Sequence, residues 1–242
     1  MVSPPNFATL LQNILPATVA SGEQIGVLFG SLLDEEVTIL GRNAVPRRKA
    51  EFAAGRTCAR QALRVLGLPE LPILRGDDRQ PLWPDGVVGS ITHCDGYCAA
   101  AVARAADFSA IGIDAEINEP LPDNVLEEVA FGDEIDWLRS LPQVGVCWDR
   151  LLFSIKEAVY KAWSPRERRW LDFDQVSVAL DIEKTTFHAR ISGVPASTVS
   201  LVYRGFYLAT RSLILTSVCI PAATTCWVTR SSHSFPNASD CL

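Results

Sequence analysis

The stretch WDRLLFSIKEAVYKAW, residues 148–163, has the clearest structural pattern in the chain. Its apolar residues recur at the spacing of one face of an α-helix, and they are Trp148, Leu151, Leu152, Ile155, Ala158, Val159 and Ala162. The helix is expected to end at Ser164, because the residue before a proline, here Pro165, disfavours the helical conformation. Glu157 and Lys161 are one turn apart on the polar face, and Lys156 is predicted to point elsewhere on that polar surface.

Upstream of this helix the sequence predicts a second one over residues 46–66, with Pro46 in its first turn and Gly67 just past its end. Residues 67–86 are rich in Gly, Pro and Asp and predict a loop. Short apolar stretches predict strands at residues 87–92, 98–103, 110–114, 176–180, 187–191, 206–210 and 213–220. Because helices and strands do not alternate regularly, we predict an α+β fold rather than a parallel βαβ sheet.

The composition is that of a folded protein with a sizeable core. The chain has 242 residues, of which 48% are hydrophobic and 21% charged, enough for one large domain or two small, tightly packed ones. Its net charge of −6 argues against general nucleic-acid binding, so any basic binding site has to be local. The seven cysteines show no C-x-x-C pair, and the sequence shows neither a signal peptide nor an apolar run long enough for a membrane span. We therefore expect a protein of the reducing cytoplasm.

Two carboxylates end the apolar run IGIDAE, residues 111–116. Asp114 and Glu116 are two residues apart, so in a strand their side chains point to the same face. Adjacent carboxylates repel each other unless a cation lies between them, and Mg²⁺ prefers oxygen ligands of this kind. A solvated strand end before a turn explains the same two residues. A third carboxylate, Glu157, would complete a magnesium site, although alone it fits an exposed salt bridge with Lys161 equally well.

Basic residues are concentrated on the predicted helix 46–66 of this acidic chain, and they are Arg47, Arg48, Lys49, Arg56 and Arg60. Such local positive charge suggests an anionic ligand with several phosphates, and a solvated helix face is the alternative. His93 ends the apolar stretch that precedes Cys94. It is interpreted as a structural hydrogen-bonding residue, a phosphate ligand, or the base of a Cys94 nucleophile. The last alternative is weakly supported, because consecutive strand residues point to opposite faces.

Taken together, four segments resemble the Sfp/EntD-type 4′-phosphopantetheinyl transferases, most closely the actinobacterial type II enzymes. The segments are RRKAEFAAGRTCARQAL (47–63), PILRGDDRQPLWPDGVVGSITHCDGY (72–97), IGIDAE (111–116) and WDRLLFSIKEAVYKAW (148–163). The resemblance runs from about residue 10 to residue 220. The combination of G-I-D-A-E with a later K-E-x-x-x-K is specific, although each motif alone is weak.

The resemblance implies an α+β fold of two similar halves related by a pseudo-two-fold axis, with coenzyme A bound between them. We expect the halves at residues 1–105 and 106–221, followed by a polar tail at 222–242, in a monomer. The implied reaction moves the 4′-phosphopantetheine arm of coenzyme A to a serine of an apo carrier domain of a polyketide, nonribosomal-peptide or fatty-acid synthase. No nucleic acid or membrane is implied. The alternative is a non-catalytic module that binds coenzyme A or a nucleotide and has a regulatory role.

The resemblance also implies roles for individual residues. Asp114, Glu116 and Glu157 match magnesium ligands, with Glu157 the candidate base for the serine proton and Lys161 the candidate for stabilising the leaving side. The residues that match contacts to coenzyme A are Arg48, Arg56, Arg75, Gly76, Arg79, Pro81, Ser90, Thr92, His93, Lys156, Tyr160, Lys161 and Trp170. Within this set, Tyr160 and Trp170 match the pocket for the pantetheine arm. Arg75 stands where close relatives commonly have Lys, which keeps the charge and changes the hydrogen-bonding geometry.

Overall fold

The computed structural model of the protein describes residues 9–40, 45–143, 145–193 and 202–222. Nearly all of the expected polar tail at 222–242 therefore lies outside the described residues. Five helices are α1 (Asp34–Val37), α2 (Pro46–Val65), α3 (Leu126–Val129), α4 (Glu134–Ser140) and α5 (Trp148–Glu167), with 3₁₀ turns at Leu11–Ile14 and Phe173–Gln175. In the part of the chain that the structure describes, no helix has the length and apolar character needed to cross a membrane.

The N-terminal half is a three-stranded antiparallel sheet with the long helix α2 on one face. The strands are β1 (Ala20–Ile25), β4 (Val87–Cys94) and β5 (Tyr97–Arg104), in the order β1-β5-β4. A separate hairpin, β2 (Leu74–Arg75) with β3 (Pro81–Leu82), lies inside the segment predicted to be a loop. Small residues on β5 and α2 let the helix lie close to the sheet, and they form one core with Leu63 and Ile73.

The C-terminal half is a five-stranded antiparallel sheet covered by α5. The strands are β6 (Phe108–Ile117), β7 (Val176–Asp181), β8 (Thr186–Ile191), β9 (Val202–Ala209) and β10 (Leu213–Pro221), in the order β6-β10-β9-β8-β7. Each half is thus a long helix packed on an antiparallel sheet, which confirms the predicted α+β fold of two similar halves. The turn between β5 and β6 joins the two sheets, and the domain boundary at residues 105 and 106 stays a prediction.

Side-chain hydroxyls join the two sheets along β4 and β6. Ser90 Oγ accepts a hydrogen bond from the Ile113 backbone N–H at 3.2 Å, and Thr92 Oγ1 accepts one from the Ala115 N–H at 3.0 Å. On the far side of β6, Ile111, Ile113 and Ala115 share a buried cluster with alternate residues of β5. Because neighbouring strand residues alternate between faces, Gly112, Asp114 and Glu116 lie on the face of β6 that packs against α5.

Several local predictions were wrong, and each error has a physical cause. Helix α5 continues through Pro165 to Glu167 and ends at Arg168, which has a left-handed backbone with φ of 49°. Pro165 lies in the last turn of the helix, so the hydrogen bond that its missing N–H cannot form costs the helix little stability. Strand β1 was not predicted, because its inward residues Ala20, Gly22 and Gln24 are small or polar and give no apolar alternation.

Gly112 sets the distance between α5 and the sheet. A Cβ built on it would lie 1.9 Å from the Ala158 backbone oxygen. We expect Gly112→Ala to lower the free energy of unfolding by about 1–3 kcal/mol or more, since the contact atom is helix backbone and cannot turn away. Thermal unfolding followed by circular dichroism measures this. Gly76→Ala is the matched control, because its Cβ meets only the flexible end of Gln80, and an equal loss in both variants would contradict the prediction.

Candidate functional site

Asp114 is the buried centre of the site, with only 4% of its surface exposed. It was predicted to lie at a strand end, but it lies inside β6, opposite Thr216 of β10. Its Oδ1 accepts hydrogen bonds from Lys161 Nζ at 2.7 Å and from Thr92 Oγ1 at 3.2 Å. Its Oδ2 is buried and has no hydrogen-bond partner. A buried carboxylate oxygen without a partner is costly, so this atom marks a place for a cation or a donor.

Glu116 lies two residues further along the same face, as predicted. Its Oε2 accepts a hydrogen bond from Arg150 Nη1 at 3.0 Å. The pKa of Glu116 is raised to about 6, first by burial and then by the charge of Asp114, while Arg150 and Lys161 oppose this rise. The two carboxylates are therefore close enough to repel each other, and protein cations offset part of that repulsion.

Glu157 and Lys161 reach the same cluster from α5. Burial raises the pKa of Glu157, Lys161 lowers it, and the charge of Asp114 raises it. Burial lowers the pKa of Lys161, but Asp114, Glu157 and Glu116 together outweigh it, so its pKa is raised. The Lys161 ammonium thus interacts with all three carboxylates. An exposed Glu157–Lys161 salt bridge does not describe this arrangement, because the hydrogen bonds of Lys161 go to Asp114 and Thr92.

The three carboxylates fit a magnesium ion by their chemistry, although they do not form a finished metal cage. Among the described residues, no group of three or more His, Cys, Asp and Glu side chains is arranged to hold a metal. Mg²⁺ is commonly bound by one or two carboxylates together with substrate phosphates and water, so an all-protein cage is not required. The unpartnered Asp114 Oδ2 is the atom that such an ion would satisfy.

Arg48 and His93 lie together beside this cluster, and their contact with phosphate stays a prediction. Arg48 Nη1 donates to His93 Nε2 at 3.2 Å. Burial lowers the pKa of His93, and the charges of Arg48 and Lys161 lower it further while Asp114 raises it. Since Lys161 and Asp114 both act on His93, the basic and acidic groups are neighbours.

Arg56 and Arg75 add to the positive charge near Arg48. Burial lowers the pKa of Arg56 to about 10, and the nearby charges of Arg75, Arg60 and Arg48 contribute to this. Arg56 Nε donates to the Ile73 carbonyl at 2.7 Å, next to the hairpin that bears Arg75. Arginines that lie close enough to repel each other are typical of a binding site for a multiply charged anion. Arg60, in contrast, forms a buried ion pair with Glu36 and stabilises the fold.

The hairpin β2–β3 contains the other residues expected near the adenine, namely Arg75, Gly76, Arg79 and Pro81. Arg75 is paired with Pro81, and the Gly76 N–H donates to the Gln80 carbonyl at 2.8 Å. Arg79 has a left-handed backbone with φ of 65° that closes this turn. The hairpin is exposed, and its contact with the adenine stays a prediction.

Lys156 differs from its prediction. Its side chain is fully buried, and Nζ donates to the Val129 carbonyl at 2.8 Å, Glu134 Oε2 at 2.7 Å and the Phe173 carbonyl at 3.1 Å. The expected position on the polar surface is therefore wrong, because α3, α4 and the 3₁₀ turn at 173–175 cover this side of α5. Because its three N–H donors are all used by these acceptors, the Lys156 ammonium has no donor left for a phosphate.

Ser90 and Thr92 of β4 have structural contacts to β6, and their expected contact with coenzyme A stays a prediction. Both are buried, and their hydroxyls accept from the backbone of β6. Both hydroxyls fix β4 against the strand that bears Asp114, and Thr92 also contacts the site directly, since its Oγ1 donates to Asp114 Oδ1 and accepts from Lys161 Nζ. The rings of Tyr160 and Trp170 are in contact, with centroids 5.2 Å apart in an edge arrangement, and their role in binding the pantetheine arm stays a prediction.

Cys94 lacks the properties of a nucleophile. Burial raises the pKa of its thiol to about 12, and the charges of Glu116, Asp114 and Asp95 act in the same direction. The thiol therefore stays protonated at neutral pH, and the thiolate is the form that attacks. Cys98 is buried as well, and the pKa of its thiol is raised, first by a hydrogen bond with Cys58 and then by burial.

Arg150 is the member of the site that sequence reasoning missed. It contacts Glu116 and lies two helical turns before Glu157 on α5. Residues seven apart share a helix face, so this spacing was the signal that could have identified it.

Two family models match the chain. The "4′-phosphopantetheinyl transferase N-terminal domain" covers residues 34–103, and the "4′-phosphopantetheinyl transferase superfamily" covers residues 110–210. The chain is 46% identical to 4′-phosphopantetheinyl transferase Svp of Streptomyces mobaraensis, over 85% of this chain and 83% of that protein. It is 38% identical to 4′-phosphopantetheinyl transferase PptT of Mycobacterium tuberculosis, over 87% of this chain and 97% of that protein. Identity to enterobactin synthase component D of Salmonella typhi is 39%, over 52% of each chain.

Proposed function

The chain belongs to the 4′-phosphopantetheinyl transferase superfamily, and from this premise we infer that it transfers 4′-phosphopantetheine from coenzyme A to a serine of an apo carrier protein, with magnesium. The observation that supports this function best is that a cluster of carboxylates and a basic pair of side chains lie next to each other where the two sheets meet. Asp114, Glu116 and Glu157 surround Lys161, and Arg48 with His93 lies next to them. One group suits a cation and the other suits phosphates, and a pyrophosphate ester substrate needs both.

The chain's own residues have distinct tasks in the proposed reaction. Arg48, Arg56, Arg75 and His93 hold the phosphates of coenzyme A, and Tyr160 with Trp170 lines the pantetheine arm. The serine oxygen forms a bond to the phosphorus that bears the pantetheine arm. The bond from that phosphorus to the adenosine 3′,5′-bisphosphate oxygen breaks, and the leaving group takes the electron pair.

Charge and proton movement involve Glu157 and Lys161. Glu157 accepts the serine proton, directly or through water, and burial favours this by raising its pKa. Lys161 stabilises negative charge on the leaving side. Asp114, Glu116 and Glu157 are the residues that would hold Mg²⁺, and the ion would supply positive charge to offset the negative charge of the pyrophosphate.

Mass spectrometry tests the function directly. The protein is incubated with an apo carrier protein, Mg²⁺ and coenzyme A, and the carrier is expected to gain one phosphopantetheine group. A carrier with its serine replaced by alanine is the control. Binding of coenzyme A without any gain in carrier mass would instead support a non-catalytic regulatory module.

Carrier domains of polyketide, nonribosomal-peptide or fatty-acid synthases are the proposed partners, and a cytoplasmic monomer is the proposed form. Docking near residues 131–138 is part of the same proposal. Phe131 is 39% exposed there and starts the segment that Glu134 and Lys156 fix to α5.

Arg48→Ala and His93→Ala are expected to weaken coenzyme A binding by about 10-fold each, because each removes a charge-assisted or polar contact to phosphate. Binding to the unaltered protein should weaken as salt rises, and dephospho-coenzyme A should bind less tightly than coenzyme A. Calorimetric titration measures all three effects. Arg139→Ala is the control, since Arg139 is 74% exposed and pairs with Asp136. Equal affinity for the two ligands would refute the assignment to the 3′-phosphate.

A further inference from the structure

The guanidinium of Arg150 is fixed at three points. Its Nε donates to the Glu119 carbonyl at 3.0 Å and its Nη2 to the Pro120 carbonyl at 2.9 Å. Its Nη1 donates to Glu116 Oε2 at 3.0 Å. The side chains of Arg150 and Glu116 are only 13% and 19% exposed. Two backbone carbonyls fix the plane of the guanidinium, so the guanidinium cannot move with the Glu116 carboxylate. Arg150 therefore orients Glu116, and not the reverse.

Neighbouring residues hold the same segment in place. Asp149 Oδ2 accepts from the Leu121 N–H at 2.8 Å. Asn118 donates to the Gly145 and Thr210 carbonyls at 2.8 and 2.7 Å, and its Oδ1 accepts from the Cys147 N–H. The segment that follows Glu116 is therefore tied to the first turn of α5 and to the β9–β10 turn. This gives Arg150 a rigid base.

Asp114 and Glu116 have matching arrangements of their two oxygens. Each has one oxygen bound to a protein cation, since Lys161 donates to Asp114 Oδ1 and Arg150 to Glu116 Oε2. The second oxygen of Asp114, Oδ2, has no partner, and within the described residues no hydrogen bond ends on Glu116 Oε1. Both carboxylates are thus half occupied, and each has one oxygen left for a further cation.

We propose that Arg150 is a positioning residue that holds Glu116 by Oε2 and keeps Oε1 available, beside Asp114 Oδ2, for the divalent cation of the reaction. The inference rests on the proposed magnesium site. It goes beyond that proposal, because it makes an arginine of α5 a determinant of metal affinity even though its own positive charge repels the metal. Hydrogen-bonded partners that orient a metal-binding carboxylate have this effect in other metal sites.

Charge and geometry predict opposite results for Arg150→Ala, which makes the proposal testable. If Arg150 served only as a cation, its removal would strengthen metal binding, because a competing positive charge would be lost. If it orients Glu116, its removal weakens metal binding by about 10–100-fold, the usual cost of losing such a partner. Arg150→Lys keeps the charge and loses the planar three-point contact, so it should also bind the metal more weakly than the unaltered protein.

The experiment measures Mn²⁺ binding by electron paramagnetic resonance of the free ion, with coenzyme A present and no carrier protein, so that no turnover occurs. Arg139→Ala and Arg139→Lys are the matched controls on the exposed face of α4 and should leave binding unchanged. Weaker binding in both Arg150 variants supports the proposal. Unchanged or tighter binding in Arg150→Ala, or full affinity in Arg150→Lys, would overturn it.

Two further outcomes are decisive as well. If Arg150→Ala does not fold, as judged by thermal unfolding, Arg150→Lys alone decides between weaker and unchanged binding. If the unaltered protein binds no Mn²⁺, both the magnesium part of the proposed function and this inference fail. Binding in the unaltered protein that persists in the Arg150 variants leaves the proposed function intact and refutes the inference alone.

Discussion

Asp114→Asn is expected to reduce phosphopantetheine transfer by at least about 100-fold, the scale on which loss of a preorganised charged group affects catalysis. The substitution preserves the size of the side chain and removes its charge. It thereby removes a metal ligand and the anion that holds Lys161. The initial rate of mass gain of an apo carrier, measured at several Mg²⁺ concentrations, checks this expectation.

Stability has to be measured in the same variant, because Asp114 is buried and not at a strand end. We expect a lower midpoint of thermal unfolding, since Lys161 is left without its closest anionic partner. Asp95→Asn is the matched control. Asp95 lies in the turn after His93, its side chain is 81% exposed, and its replacement should leave the rate unchanged. A folded Asp114→Asn protein with full activity at ordinary Mg²⁺ would show that the site is wrongly assigned.

Helix positions and the pairing of nearby acidic residues could be predicted from the sequence, because both depend on local spacing. The apolar stripe of 148–163 identified α5, and the alternation in IGIDAE placed Asp114 and Glu116 on one face. These patterns say which residues share a face. They do not say what covers that face, because this depends on segments far away in the chain.

Lys156 shows this limit most clearly. Its place on the polar side of α5 suggested contact with solvent or phosphate, yet Val129, Glu134 and Phe173 enclose it. Its position on the helix did not indicate that it would be buried, because the three acceptors come from distant segments that only the fold brings together. Ser90 is a similar case, since its hydroxyl joins two sheets by a hydrogen bond to Ile113, which is 23 residues away in the chain.

The basic residues show the same distinction. Arg56 and Arg60 lie one turn apart on α2 and looked equivalent in the sequence. In the fold, Arg60 forms a buried ion pair with Glu36, while Arg56 donates to the Ile73 carbonyl and is affected by the charges of Glu36, Arg75 and Arg48. A remote acidic residue, Glu36 of α1, therefore distinguishes the two arginines, since only Arg60 forms the ion pair with it that the structure describes. Nothing in the spacing on α2 contained that information.

Glu157→Gln is the change that separates the two roles proposed for this residue, metal ligand and base. Glutamine keeps the size of the side chain and one oxygen ligand, and it removes the negative charge and the proton-accepting site. We expect transfer to fall by about 100-fold or more if Glu157 is the base, since general-base catalysis contributes on that scale. In that case metal and coenzyme A should bind as they do in the unaltered protein. The measurement is the transfer rate at saturating coenzyme A across a range of Mg²⁺ concentrations.

The dependence on Mg²⁺ identifies the role. A carboxylate bound to Mg²⁺ is a weak base, because the ion competes with the proton for the same oxygen. If Glu157 is mainly a ligand, its loss raises the Mg²⁺ concentration needed for half-maximal rate, and high Mg²⁺ restores much of the activity. If it is mainly the base, no concentration of Mg²⁺ restores the rate. Glu167→Gln, near the end of the same helix, is the control. A Glu157→Gln protein with unchanged rate and unchanged Mg²⁺ dependence would refute both roles, and Glu157 would then serve only to offset the charge of Lys161.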